Sequence, residues 1–150
     1  MSYDTAIQTE RRAAEPPLHG PEAFEGMRRA GRLTAEALDL LVEHVQPGVS
    51  TQALDRLVAE FARDKGAYSA TLLYRGYPKS ICTSINHVVC HGIPNEKPLR
   101  EGDILNIDVT LILDGWYGDS SRMYFVGEVP RRAARLCDVT HTASCGASMP

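Results

Sequence analysis

No segment of the chain approaches the roughly 20 apolar residues needed to span a bilayer. The opening MSYDTAIQTERRAAEPP is charged throughout, without an apolar stretch of the signal-peptide kind. A membrane anchor is therefore not expected, and a cytoplasmic location is. A stripe of one charge sign is missing as well: 16 Lys and Arg are interspersed with 19 Asp and Glu for a formal net charge of −3. Nothing electrostatic then recommends nucleic acid or an anionic membrane as partner. Cysteine is scarce and wrongly spaced for a zinc ribbon or finger: Cys82, Cys90, Cys137 and Cys145 form two C-x7-C pairs, where paired zinc thiolates want two to four intervening residues. They read as reduced, unpaired thiols, with Cys82 and Cys90 as small half-buried strand residues. No nucleophile elbow, P-loop or HExxH sequence is present.

What is there suits one globular domain: 150 residues, 43% of them hydrophobic. Residues 1–19 mix Pro, Glu, Arg and Ala without a period and read as a flexible arm. From Gly20 and Pro21 the spacing of Phe24, Met27, Gly31, Thr34, Leu38, Leu41 and Val45 predicts an amphipathic helix, with Pro in its first turn and Glu22 and Glu25 at the positive end of its dipole. Pro47 and Gly48 break it. Ser50 or Thr51 caps a second helix carrying Leu54, Leu57, Val58 and Phe61 on one face, with Gly66 as its stop. Strand-like texture follows over 68–74 and 80–90, then a clear alternation over 104–113 and a partner strand over 116–126. A basic helix starting near Pro130 is expected to dissolve from Ala143 onward. Two helices covering one face of a meandering antiparallel sheet make an α+β arrangement.

The hairpin carries the chemistry. If Asp114-Gly115 is its two-residue loop, Leu113 faces Trp116, Thr110 faces Asp119 and Asp108 faces Ser121. Strict alternation then projects Asp108, Thr110, Asp119 and Ser121 from one face, with the aspartates as diagonal neighbours about 7–8 Å apart at the backbone. A loop one residue longer or shorter would separate them. At ~4 Å and an effective dielectric of 20, two carboxylates repel by about 4 kcal/mol. A shared proton, solvation at a sheet edge, or a bound divalent cation could each offset that. His91, ending an apolar stretch beside Gly92, is either a half-exposed polar residue or a hydrogen-bond partner for a substrate amide. Tyr74, Tyr77 and Cys82 could line an apolar pocket or belong to the core.

Taken together, the runs Gly76-Tyr77-Pro78-Lys79-Ser80-Ile81-Cys82-Thr83-Ser84-Ile85-Asn86, Val88-Val89-Cys90-His91-Gly92-Ile93-Pro94, Gly102-Asp103-Ile104-Leu105-Asn106-Ile107-Asp108-Val109-Thr110 and Asp114-Gly115 through Gly118-Asp119-Ser120-Ser121 closely resemble type I methionine aminopeptidase. So do the helix at Met27-Arg28-Arg29-Ala30-Gly31-Arg32-Leu33 and the break at Pro47-Gly48-Val49-Ser50-Thr51. The resemblance implies the first half of a pita-bread fold and a cytosolic metallo-exopeptidase that removes the initiator methionine from nascent, ribosome-associated chains. It implies Asp108 and Asp119 as metal ligands in a site for two divalent ions (Co, Mn, Fe or Zn), and His91 as a contact to the substrate backbone. Thr71, Tyr74, Tyr77 and Cys82 fall where the family builds its methionine pocket. In the family one further metal-binding His, two Glu and a catalytic His lie in a second half that these residues do not contain, and His141 sits on a helix outside the ligand motifs. Residues 20–142 are thus read as the N-terminal half of a peptidase domain and 143–150 as a non-homologous or truncated tail, with the chain inactive alone. Two alternatives stay open: a non-catalytic fragment that binds a partner through its uncovered sheet, or half of a creatinase- or prolidase-like peptidase.

Overall fold

The computed structural model describes residues 18–72 and 74–147, so most of the expected N-terminal arm lies outside the described residues. In chain order the elements are α1 (Pro21–Leu40), extended by a 3-10 turn (Leu41–Glu43), α2 (Thr51–Asp64), β1 (Tyr68–Ser69), a 3-10 turn (Tyr74–Gly76), β2 (Cys82–Ile85), β3 (Ile104–Leu113), β4 (Trp116–Phe125) and α3 (Arg131–Ala147). Strand β3 is the spine. Strand β4 pairs with it along its full length, from Leu113↔Trp116 to Ile104↔Phe125. Strands β1 and β2 share its other edge, taking residues 111–112 and 105–108 respectively.

The hairpin register is the one expected from the sequence, including Asp108↔Ser121 and Thr110↔Asp119. Its physical basis is the turn: Asp114 and Gly115 both have positive φ, 50° and 81°. That is the mirror-image turn whose twist matches the flanking strands. The alternation in β3 divides the molecule into two sides. Leu105, Ile107, Val109 and Leu111 have no exposed surface and form the core with Leu38, Leu41, Leu54 and Val58 from the helices. Each such side chain contributes roughly 1.5–3 kcal/mol by burial. The opposite face carries Asp108 and Thr110 from β3, and Tyr117, Asp119, Met123 and Phe125 from β4, with Tyr117, Met123 and Phe125 exposed.

Helix α1 buries a different stripe from the one its bulkiest residues mark. Phe24 and Met27 are half or more exposed, whereas Ala23, Gly26, Ala30, Leu33, Thr34, Ala37 and Leu38 are buried. Close approach decides this. A methyl group on Gly118 would stand 2.3 Å from the Ala30 carbonyl oxygen, and one on Gly26 would stand 2.4 Å from the Trp116 ring. Small residues let helix and strand backbones touch, and polar groups seal the contact. The Thr34 hydroxyl donates to the Gly118 carbonyl at 2.9 Å, and the buried Tyr124 hydroxyl donates to the Leu38 carbonyl at 2.6 Å. Burial pushes the Tyr124 phenol up to about 12.

Helix α2 follows its sequence signals, with Ser50 as N-cap accepting from the Ala53 N–H at 3.2 Å and Leu54 and Val58 buried. The strands before β3 are shorter than the sequence texture suggests. β2 stops at Ile85, because β3 begins at Ile104 and offers no backbone to pair with beyond that point, whereas β1 stops at Ser69 opposite Leu111 and leaves the rest of that edge of β3 to β2. Asn86 turns the chain there at φ 51°, accepting from the Ile104 N–H at 3.1 Å and donating to Asp103 at 2.8 Å. All four cysteines are free, but Cys90 lies past β2 and is exposed rather than half-buried in a strand, whereas Cys82 is buried. Helix α3 continues through Ala143 to Ala147, where its loss was expected. Ala143 and Ala147 favour helix, and no proline intervenes before Pro150. Among the described residues no helix is long and apolar enough to cross a membrane.

The α1–β4 approach gives the first prediction. Gly118→Ala should lower stability by about 1–3 kcal/mol, the usual range for overpacking, read as a reduced urea midpoint at unchanged m-value. An unchanged midpoint would mean the two backbones separate without cost.

Candidate active site

Each wall of the site starts from a local sequence feature. Residues 70–81 leave the sheet between β1 and β2 and are pinned at their far end by Asp55, a buried carboxylate on α2 that accepts from the Ser80 N–H at 2.8 Å and the Ile81 N–H at 3.1 Å. The Thr71 hydroxyl donates to the Ser80 carbonyl at 2.7 Å, closing this segment on itself. Lys79 reaches the Gln52 side-chain carbonyl, a second tie to α2. The segment then enters β2 at Cys82, directly beside Asp108.

The opposite wall is the run around His91-Gly92. The Thr83 N–H donates to the Gly92 carbonyl at 2.8 Å, and the Gly92 N–H donates to the Ser84 hydroxyl at 3.2 Å. A methyl group on Gly92 would lie 2.0 Å from the Thr83 carbonyl oxygen, so only glycine lets the chain run this close to β2. The Tyr77 hydroxyl stands 3.0 Å from both the Ile81 and Gly92 carbonyls and ties the two walls together. Burial, then its hydrogen bond with Cys82, holds the Tyr77 phenol far above its ordinary range. Burial likewise pushes the Cys82 thiol up, with its Tyr77 bond opposing and the charges of Asp108, Cys90 and Asp119 adding.

On the floor, the Thr110 hydroxyl donates to Asp119 Oδ1 at 2.8 Å. Asp108 is raised above the usual carboxylate range, first by desolvation and second by the negative charge of Asp119, with His91 partly offsetting both. No ion pair among the described residues involves either aspartate. Two hard oxygen donors that repel each other, Asp108 half-buried and Asp119 exposed, suit a divalent cation. The fit is partial: among the described residues no group of three or more His, Cys, Asp or Glu could hold a metal ion.

Walls and floor enclose an open cavity of about 730 Å³. Thr71, Tyr74, Tyr77, Cys82, His91, Asp108 and Asp119, all seven residues singled out from the sequence, line it. Ile93 and Tyr117 line it too and were not anticipated. Tyr117 was within reach of the hairpin arithmetic, being two residues before Asp119 and so on the same face. Ile93 lies in irregular chain, where no period applies. Asp55 was also missed, although a carboxylate next to Leu54 in the buried stripe of α2 is itself a signal.

A four-stranded antiparallel sheet with helices on one face and a carboxylate pair in a cavity on the other is the arrangement of the pita-bread metallopeptidases. The profile of metallopeptidase family M24 matches residues 25–147, and the chain belongs to that family. Methionine aminopeptidase from Rickettsia prowazekii (strain Madrid E) is 58% identical over 126 residues, covering 84% of this chain and 49% of the relative. The enzyme from Escherichia coli (strain K12) is 53% identical over 122 residues, covering 80% and 46%. The crystal structure of the Rickettsia prowazekii methionine aminopeptidase superposes with a TM-score of 0.84 at 57% identity, over 85% of this chain and 51% of that one. An Xaa-Pro dipeptidase from Bacillus anthracis, at 21% identity and a TM-score of 0.68, shares the fold. The chain spans about half the length of the curated relatives it matches.

Two predictions follow from the walls and the floor. Asp55→Ala leaves two buried N–H groups without an acceptor and should cost about 2–3 kcal/mol, measured by denaturant unfolding. A loss below the resolution of that measurement would show that Asp55 does not hold the 70–81 segment. For Asp108, a native pKa above the unfolded one means the folded state binds the extra proton. Its contribution is neutral below the unfolded pKa and turns destabilising as pH rises through the native one. Asp119→Asn removes the second cause of the shift, so the Asp108 carboxyl resonance, followed by carbon NMR without metal, should titrate at lower pH than in the parent.

Proposed function

We propose that this chain provides the substrate pocket and two metal-binding carboxylates of a methionine aminopeptidase, which hydrolyses the initiator methionine from nascent polypeptides. The observation that carries the reading is the meeting of the seven residues in one cavity, with Asp108 and Asp119 on its floor. Relatives at 53–58% identity named methionine aminopeptidase favour this substrate over the proline-specific chemistry of the more distant fold neighbours.

Asp108 and Asp119 would hold divalent ions, two in a complete site and drawn from Co, Mn, Fe or Zn, with Thr110 orienting the Asp119 carboxylate. The chemistry such ions supply is activation of a water and polarisation of the scissile carbonyl. His91 faces the same space and can hydrogen-bond the substrate backbone near neutral pH. Thr71, Tyr74, Tyr77 and Cys82 form the side-chain pocket. Burial keeps the Tyr77 and Cys82 protons on, so that wall is uncharged at neutral pH and suits an unbranched thioether. By the family resemblance, one His and two Glu from outside these residues complete the metal shell. The proposed setting is the cytosol, at chains still emerging from the ribosome.

Calorimetric titration of the metal-free chain with Mn should show weak binding that Asp108→Asn or Asp119→Asn abolishes; binding that survives both substitutions would place the ion elsewhere. With Met-Ala-Ser and added Co or Mn, the 150 residues alone should release no methionine. Release that disappears in Asp108→Ala would show instead that two carboxylates suffice.

A further inference from the structure

Helix α3 carries a ligand pair remote in kind from the carboxylate site. His141 and Cys145 are four residues apart, so both project from one face of the helix. The Cys145 sulfur lies 3.6 Å from His141 Nε2 and 3.9 Å from Nδ1. A tetrahedral zinc ion with a sulfur at about 2.3 Å and an imidazole nitrogen at about 2.0–2.1 Å sets those two donors about 3.6 Å apart. The separation on the helix is the one such an ion needs, while the similar distances to the two ring nitrogens set the sulfur beside the ring, so the imidazole must turn to aim a lone pair at the ion. Both side chains are exposed, so that ring rotation meets no packed neighbour, and water can fill the other positions.

We infer that His141 and Cys145 form a two-residue chelate for a borderline-soft divalent cation of the zinc class. The donor set separates it from the floor of the cavity. Thiolate and imidazole favour zinc or cobalt, whereas paired carboxylates accept harder ions such as manganese. Cys137 stands one turn earlier on the same side but eight residues from Cys145, about 12 Å along the axis. It cannot share the ion with Cys145, in keeping with the absence of any three-residue cluster among the described residues. Binding releases the thiol proton and leaves a sulfur–metal bond, with no change of oxidation state.

The test uses the whole chain under reducing conditions, with Co(II) as a coloured stand-in for zinc. Titration should develop thiolate-to-cobalt charge-transfer absorption, and zinc should bleach it by displacement. Loss of even an outer partner costs about 10–100-fold in metal affinity. His141→Ala and Cys145→Ser each remove a direct ligand and should weaken binding at least about tenfold. The exposure of both positions makes misfolding an unneeded explanation, and unchanged far-ultraviolet circular dichroism checks it. Cys137→Ser and the double change Asp108→Asn, Asp119→Asn should keep the band. A parent chain without the band overturns the inference, as does a band that persists in Cys145→Ser, which would place the thiolate at another cysteine, or one that vanishes with the carboxylates, which would place it at Cys82 or Cys90. Because manganese binding reports on the carboxylates and the cobalt–thiolate band on the helix, either assignment can fail while the other stands.

Discussion

Two residues in the left-handed region, Asp114 and Gly115, set the register in which Ile104–Leu113 meets Trp116–Phe125, and both sides of the sheet inherit it. A strand has a side-chain period of two, so a slip of one position would bring Asp119 to the helices and Gly118 to the cavity. The core would then receive a charge where it now receives bare backbone. One tight turn therefore places the aspartates together and also places glycine under α1.

The second constraint is steric and serves the first. Helix α1 lies on β4 with so little clearance that its contact face is built from Ala23, Gly26, Ala30 and Ala37, and its larger apolar residues Phe24 and Met27 stay outside. Hydrogen bonds from Thr34 and Tyr124 to main-chain carbonyls cross the same interface. Packing of this kind resists sliding of the helix over the strand, because each carbonyl has a specific donor above it. The sheet that carries Asp108 and Asp119 is thereby braced from behind.

What could be read beforehand followed the range of the interactions involved. The hairpin is local, its alternation is a direct image of one buried and one open face, and its register came out pair by pair. The cap at Ser50 and the stripe Leu54–Val58 were equally legible. The face of α1 was not, since hydropathy gives weight to Phe24 and Met27 while the backbone contact at Gly118 lies far along the chain. The length of β2 was overestimated for a related reason: a strand ends where its partner ends, and residues 80–90 carry no mark of where β3 begins. Of the cavity residues, Tyr74, Tyr77, Cys82 and His91 were candidates from the residues themselves, whereas Thr71 and the choice of a pocket over the core emerged from likeness to a family of known enzymes. Periodicity alone left them between core and surface. Asp55 and Gly92, which hold the two walls, showed their purpose only when the main-chain atoms they serve were seen in place.

The interrupted edge of β3 has an evolutionary corollary. Because β1 and β2 occupy separate stretches of that edge, the excursion over residues 70–81 hangs from the sheet like a cassette, anchored at one end by Ser69 and at the other by Asp55. Its length and composition can drift without re-registering the strands that carry the two acids. The lining of the cavity and its carboxylate floor are thus separable in this architecture, and the one can change while the two acids keep their place.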